Sequence, residues 1–244
     1  MHDLKGKKII VCGGSGQMGR NICSHIREIE AIPIIVDSNI EKQETDTAFE
    51  CDLSNSTATE LIFDKIFEIH PEVNYLVNAL RIRKKIDIND NICSMSASIS
   101  SELNAYLYPM HFFCNKKREG GALVNISSIL GRRISLDVTL DYHVAKASIE
   151  QASRYYAARY KDHKVRVNCI APGLISKGDS EIQSINPNDS HYSQLARKLP
   201  LQRSGSQSEV VSLITFLLSE ASGFLLGANI LIDGGGDLIE ITST

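Results

Sequence analysis

The sequence predicts an α/β fold, a doubly wound parallel sheet with helices on both faces, and three observations lead there. Short β-rich runs alternate along the chain with longer stretches that carry apolar residues at helical spacing. The runs are apolar on both faces, as strands of a parallel sheet covered from both sides must be. A glycine-rich turn directly follows the first run and opens into a helix.

The first strand is Lys8-Ile9-Ile10-Val11-Cys12, behind a short polar N-terminus. Its apolar run is too short for a signal peptide, and no stretch approaches a membrane span. Gly13-Gly14-Ser15-Gly16-Gln17-Met18-Gly19 then turns into a helix beginning near Met18, and Ile32-Pro33-Ile34-Ile35-Val36-Asp37 forms the second strand. Residues 56–69 and 208–218 read as covering helices, and residues 73–78, 122–126, 165–170 and 229–233 as the later strands. The pattern is that of a Rossmann fold. No repeat or linker divides the chain, so residues 1–244 are expected to form a single domain. The segment from 177 to about 189, rich in Ser, Asn, Asp and Gly, reads as irregular, and a substrate lid is expected at about 177–198.

Composition narrows the partners. The net charge is −3 and the basic residues are spread along the chain, so nucleic acid is not an expected partner. Cys12, Cys23, Cys51, Cys93, Cys114 and Cys169 form no C-x-x-C pair and share no metal-ligand spacing with the histidines. No metal site is expected; a reduced, cytoplasmic setting is.

Glycines after a first strand let the backbone turn tightly and approach a pyrophosphate, whose charge the helix amides attract. Glycines also serve plain strand-to-helix turns, and Asp is a common strand-end cap. Here Asp37 lies eighteen residues beyond Gly19, where a dinucleotide fold places a carboxylate on the adenosine ribose. With no basic residue in the next few positions, Asp37 would repel a 2′-phosphate, so NAD is expected over NADP; Arg20 is the complication.

Further motifs follow in order: Cys51-Asp52-Leu53, Leu76-Val77-Asn78-Ala79, Asn125-Ile126-Ser127-Ser128-Ile129-Leu130-Gly131 and Tyr142-His143-Val144-Ala145-Lys146. Arg166 to Gly173, containing Asn168 and Pro172-Gly173, and Ile232-Asp233-Gly234-Gly235 complete the series. From Gly13 to Gly235 the chain thereby resembles the classical short-chain dehydrogenases/reductases over essentially its whole length. The resemblance implies hydride transfer between NAD and a small-molecule alcohol or ketone, with Ser128, Tyr142 and Lys146 catalytic. It implies cofactor contacts from Gly13, Ser15, Gly16, Gln17, Met18, Gly19, Asp37, Asp52 and Leu53. Asn78, Ala79, Leu80, Pro172, Gly173 and Ile175 are implied too, with Tyr142 and Lys146, and so is a homotetramer or homodimer.

The residues agree with that chemistry. Tyr142 and Lys146 are spaced i, i+4, which sets an ammonium beside a phenol on one helix face. A cation at about 4 Å and an effective dielectric near 20 contributes roughly 4 kcal/mol, about three pK units, toward the phenolate. Ser128 would donate to the substrate oxygen.

The match also departs from the family. Cys12 replaces a Thr, Gln17 replaces a Gly, and the Gly13, Gly16, Gly19 spacing looks like that of extended relatives. Leu80 stands where the Asn-Ala motif has Gly, and fourteen residues separate Ser128 from Tyr142, one more than usual. The family's helix asparagine falls at Ser100 or Ser96, with Asn104 nearby. Two other functions stay open: a non-catalytic NAD-binding regulatory or scaffold protein, and a sugar epimerase, which the short chain disfavours. Arg81, Arg83, Lys84, Lys85, Arg132 and Arg133 follow strand ends at the ligand-binding edge, and raise the expectation of an anionic or sugar-derived substrate.

Overall fold

The computed structural model describes residues 2–40, 47–82, 92–117, 120–176 and 191–238. Seven strands, β1 (Lys8–Cys12), β2 (Ile32–Asp37), β3 (Ala48–Glu50), β4 (Tyr75–Asn78), β5 (Gly121–Ile126), β6 (Val165–Pro172) and β7 (Asn229–Ile232), pair in parallel. Their order is β3-β2-β1-β4-β5-β6-β7, so the chain winds outward in both directions from β1 and β4. This is the Rossmann arrangement, and its crevice opens where the order reverses.

Alternation along each strand feeds two cores. Ile10, Leu76, Leu123 and Val167 pack under α2 (Ser56–Ile69), α3 (Ile92–Lys116) and α4 (Leu140–Arg159), against Phe63, Tyr106, Phe113 and Ile149. Ile9, Val11, Val77 and Val124 point the other way, onto Ile22, Ile26, Val210 and Ile214 of α1 (Gln17–Glu28) and α6 (Gln207–Leu218). Five of the six cysteines are buried in these layers, and Cys93 is exposed. A further helix, α5 (His191–Lys198), covers the end of the expected lid; residues 177–190 lie outside the described ones. No described helix is long and apolar enough to cross a membrane, and the described residues hold no cluster suited to a metal ion.

The ends of α6 are both tied. At its carboxyl end, Arg166 of β6 donates to the carbonyls of Leu217, Leu218, Ser219 and Ser222 at 2.9 to 3.2 Å. At its start Ser206 and Glu209 form a capping box, and Arg203 grips both Glu209 oxygens at 3.0 and 2.7 Å. Glu209's carboxyl is pushed down to about 2, first by the Arg203 hydrogen bond and then by the Ser206 amide. A depressed carboxyl contributes stability that is complete above its unfolded value, near 4.3, and is lost as pH falls through the folded one. The side chain is 43% exposed, so solvent screening leaves about 1 kcal/mol of it. Glu209→Gln is therefore expected to lower Tm by about 2–4 °C at neutral pH, a difference that thermal melts show shrinking as pH is taken toward about 2.

Candidate active site

The glycine turn is closed by contacts that only glycine permits. Gly13 adopts φ +82°, and a Cβ there would lie 2.9 Å from the Ala79 carbonyl oxygen at the end of β4. A Cβ on Gly19 would overlap the Gly13 carbonyl, which locks the first turn of α1 onto the end of β1. Gly16 is the N-cap of α1 and brings no capping side chain, so no cap side chain covers the start of the helix. The helix starts at Gln17, one residue before the expected Met18.

Beside this turn lies a cleft of about 1000 Å³, walled by Gly13, Ser15, Gly16, Gln17, Met18, Asp37, Asp52, Ala79, Leu80 and Ile175. Asp37 ends β2, and its Oδ2 accepts from the Ser15 amide at 3.0 Å, which leaves further lone pairs for a ribose. Asp52 accepts from the Ser54 amide and hydroxyl at 2.9 and 2.7 Å. The bare turn, the open helix amides and the carboxylate at β2 together fit a dinucleotide.

Other residues assigned to the cofactor stand behind the wall. Leu53 is 2% exposed and belongs to the core. Asn78 is fully buried and donates to Asn125 at 2.8 Å, linking β4 to β5. Gly19 packs on Gly13, Pro172 is buried at the end of β6, and a Cβ on Gly173 would come within 2.8 Å of Asp233. These residues shape the cleft without lining it. Ser101 of α3 and Gln207 of α6 do line it. Sequence reasoning missed both, because helix packing alone brings them there.

Ser128, Tyr142 and Lys146 gather at the carboxyl ends of β4 and β5. Ser128 is buried, and its Oγ accepts from the Leu130 amide at 3.2 Å. It is thus a cap as well, yet capping uses a lone pair and leaves the O–H to donate. The half-buried Tyr142 ring lies 4.9 Å from the Arg81 guanidinium, on the cleft wall, and 5.6 Å from Lys146 Nζ.

Lys146 is not the lone cation that the i, i+4 spacing implies. Its Nζ pairs with Glu102 of α3 at 2.9 Å and donates to Tyr106 at 3.2 Å and to the Ile126 carbonyl at 3.4 Å. Burial pulls its pKa down, but Tyr106, Glu102 and Tyr142 prevail and hold the ammonium above the ordinary lysine range. Burial pushes the Tyr106 phenol far up, so it stays protonated, with its hydroxyl against the Leu80 and Ile126 carbonyls at 2.7 and 2.8 Å. Of the two phenols beside Lys146, Tyr142 is the one placed to exchange a proton. Ser96 and Ser100 are both exposed. The charged α3 side chain at the lysine is Glu102, whose signal in the sequence was an isolated acid one turn before a buried tyrosine.

Two members of the basic cluster already have protein acceptors. Arg132 bonds Glu150 at 3.0 Å and Arg133 donates to the Gly236 carbonyl, while Arg83, Lys84 and Lys85 lie outside the described residues. The longer segment between Ser128 and Tyr142 is pinned by His143, whose Nε2 accepts from the Ser135 amide at 3.1 Å. Its Nδ1 then carries the proton and donates to the Thr139 carbonyl at 2.9 Å.

Comparison with known proteins agrees with this geometry. A family model described as enoyl-(acyl carrier protein) reductase matches residues 22–237. The chain is 26% identical to the 3-oxoacyl-(acyl-carrier-protein) reductase of Chlamydia pneumoniae, across 95% of this chain and 97% of that one. The ligand-free aldohexose dehydrogenase of Thermoplasma acidophilum shares the fold with a TM-score of 0.81 at 24% identity, over 100% and 98% of the two chains. A short-chain dehydrogenase of Leptospira borgpetersenii with bound NAD+ does so with a TM-score of 0.80 at 24% identity, over 96% and 93%. With the motifs in order and the match spanning most of its length, the chain belongs to the short-chain dehydrogenase/reductase family of oxidoreductases.

Proposed function

We propose that the protein interconverts a secondary alcohol and a ketone with NAD. The carrying observation is that α4 sets Tyr142 5.6 Å from Lys146 and against Arg81, which lines the same cleft as Asp37 and the glycine turn. NAD, when bound, supplies the hydride acceptor or donor. The start of α1 at Gln17 and Met18 would hold the pyrophosphate, Asp37 the adenosine ribose and Asp52 the adenine, while Ala79, Leu80 and Ile175 would wall the rest. Ser128 donates to the substrate oxygen, and the Tyr142 phenolate takes the proton of the substrate hydroxyl during oxidation, while the phenol returns it during reduction. The buried charge of Lys146 supports this reading over a cofactor-binding protein without turnover.

Cytoplasmic residence and a homodimer or homotetramer are part of the proposal. So is an anionic or sugar-derived substrate, for which Arg81 on the cleft wall is the candidate anchor. One experiment tests the cofactor and the substrate: titrate NADH and NADPH, then follow reduced-nicotinamide absorbance over matched anionic and neutral alcohols and ketones. Repulsion between Asp37 and a 2′-phosphate at roughly 4 Å is about 1–4 kcal/mol per charge, so NADH is expected to bind about tenfold tighter or better. Arg20 lines the cleft with its Nε bonded to the Ser15 carbonyl at 2.7 Å, and its remaining guanidinium donors are the source of any compensation for a 2′-phosphate. Tighter NADPH binding sinks the cofactor assignment, and equal efficiency for both members of every substrate pair sinks the anionic one.

A further inference from the structure

Lys146 is a strong charge near Tyr142, and a carboxylate stands directly behind it. Glu102 and Tyr106 lie one turn apart on α3 and both reach Lys146 across the contact with α4, at 2.9 and 3.2 Å. Glu102 is 5% exposed and Lys146 3%, so solvent screens neither charge. Glu102 is also the single acidic residue in a helix of twenty-five. A buried ion pair is seldom more stable than apolar side chains of the same volume, so packing gives no reason for a carboxylate here.

We propose that Glu102 is a positioning residue: it holds Lys146 in place and offsets its charge, so that Tyr142 meets an ion pair in place of a lone ammonium. This rests on the reading of Tyr142 as the acid/base. Among the described residues, the charged and titratable groups that face Tyr142 are Lys146 on its own helix, Arg81 from the segment after β4, and Glu102 and Tyr106 of α3 behind Lys146. Asp141, next in sequence, is turned to Ser98 at 2.6 Å. Tyr106 is a neutral phenol held by backbone carbonyls, which leaves Glu102 as the negative member. Without it two cations act unopposed on the Tyr142 hydroxyl, and the phenolate is favoured.

The test is a spectrophotometric titration of tyrosinate in the purified full chain, which has eight tyrosines and no tryptophan, so indole does not interfere. Subtracting Tyr142→Phe from wild type, and Tyr142→Phe/Glu102→Gln from Glu102→Gln, isolates the Tyr142 transition. In Glu102→Gln it is expected about one pH unit lower or more, and Glu102→Asp, which keeps the charge, returns it to the wild-type position. A Tyr142 transition unmoved in folded Glu102→Gln, or a fall that Glu102→Asp reproduces, overturns the proposal. Should Glu102→Gln fail to fold, Glu102→Gln/Lys146→Met removes both charges at once. It is expected to move the transition by less than about one unit, whereas a rise of about three units, the loss of a lone ammonium, overturns the proposal. The readout needs neither cofactor nor turnover, so an inactive protein can still show the shift and an active one can lack it.

Discussion

Tyr142→Phe is expected to lower turnover by roughly two orders of magnitude or more while leaving the fold and NAD affinity in place. The substitution removes one hydroxyl and keeps the ring on which Arg81 stacks at 4.9 Å, so the cleft wall retains its packing. Tyr106 is no substitute, because its phenol is fully buried and committed to the Leu80 and Ile126 carbonyls. Steady-state rates, read beside a thermal melt and an NADH titration, separate lost chemistry from lost structure. Wild-type turnover in a folded, cofactor-binding Tyr142→Phe protein means that another group moves the proton.

Gly19→Ala acts on the cofactor instead, and is expected to weaken NADH binding by about a hundredfold or more. The new Cβ would overlap the Gly13 carbonyl and come within 2.7 Å of Gly14 Cα. Both neighbours are backbone, so no side chain can swing aside, and the turn must open. Opening it moves Gly13 off Ala79 and α1 off the end of β1, at a cost of about 1–3 kcal/mol or more in stability. Equal NADH affinity in Gly19→Ala and wild type would place the dinucleotide elsewhere.

Most of the sheet was legible because burial on both faces leaves uninterrupted apolar runs, as in β1 and β2, whose bounds match the sequence reading residue for residue. β3 was not: Ala48–Glu50 is three residues long and carries no pattern. Motif spacing pointed to the glycine turn and Asp37, which line the cleft, but it could not tell lining residues from supporting ones. Gly19 and Asn78 are motif positions whose contacts are with Gly13 and Asn125. Pairing across distance was the least legible. Charges can be counted along a sequence, whereas Arg133 finds its partner in Gly236 and Lys146 in Glu102 only once the chain has folded.

The Arg166 clamp reverses the usual behaviour of a helix end. Terminal turns ordinarily fray first, since their last carbonyls have only water to lose. In α6 those carbonyls hold a guanidinium that is half withdrawn from solvent, whose own pKa burial pulls down. Unwinding that turn would strand the charge against β6 without acceptors, a cost far above one ordinary backbone bond. The carboxyl end of α6 therefore belongs to the same cooperative unit as β6, and local opening of this helix proceeds from its capped start toward the sheet-latched end.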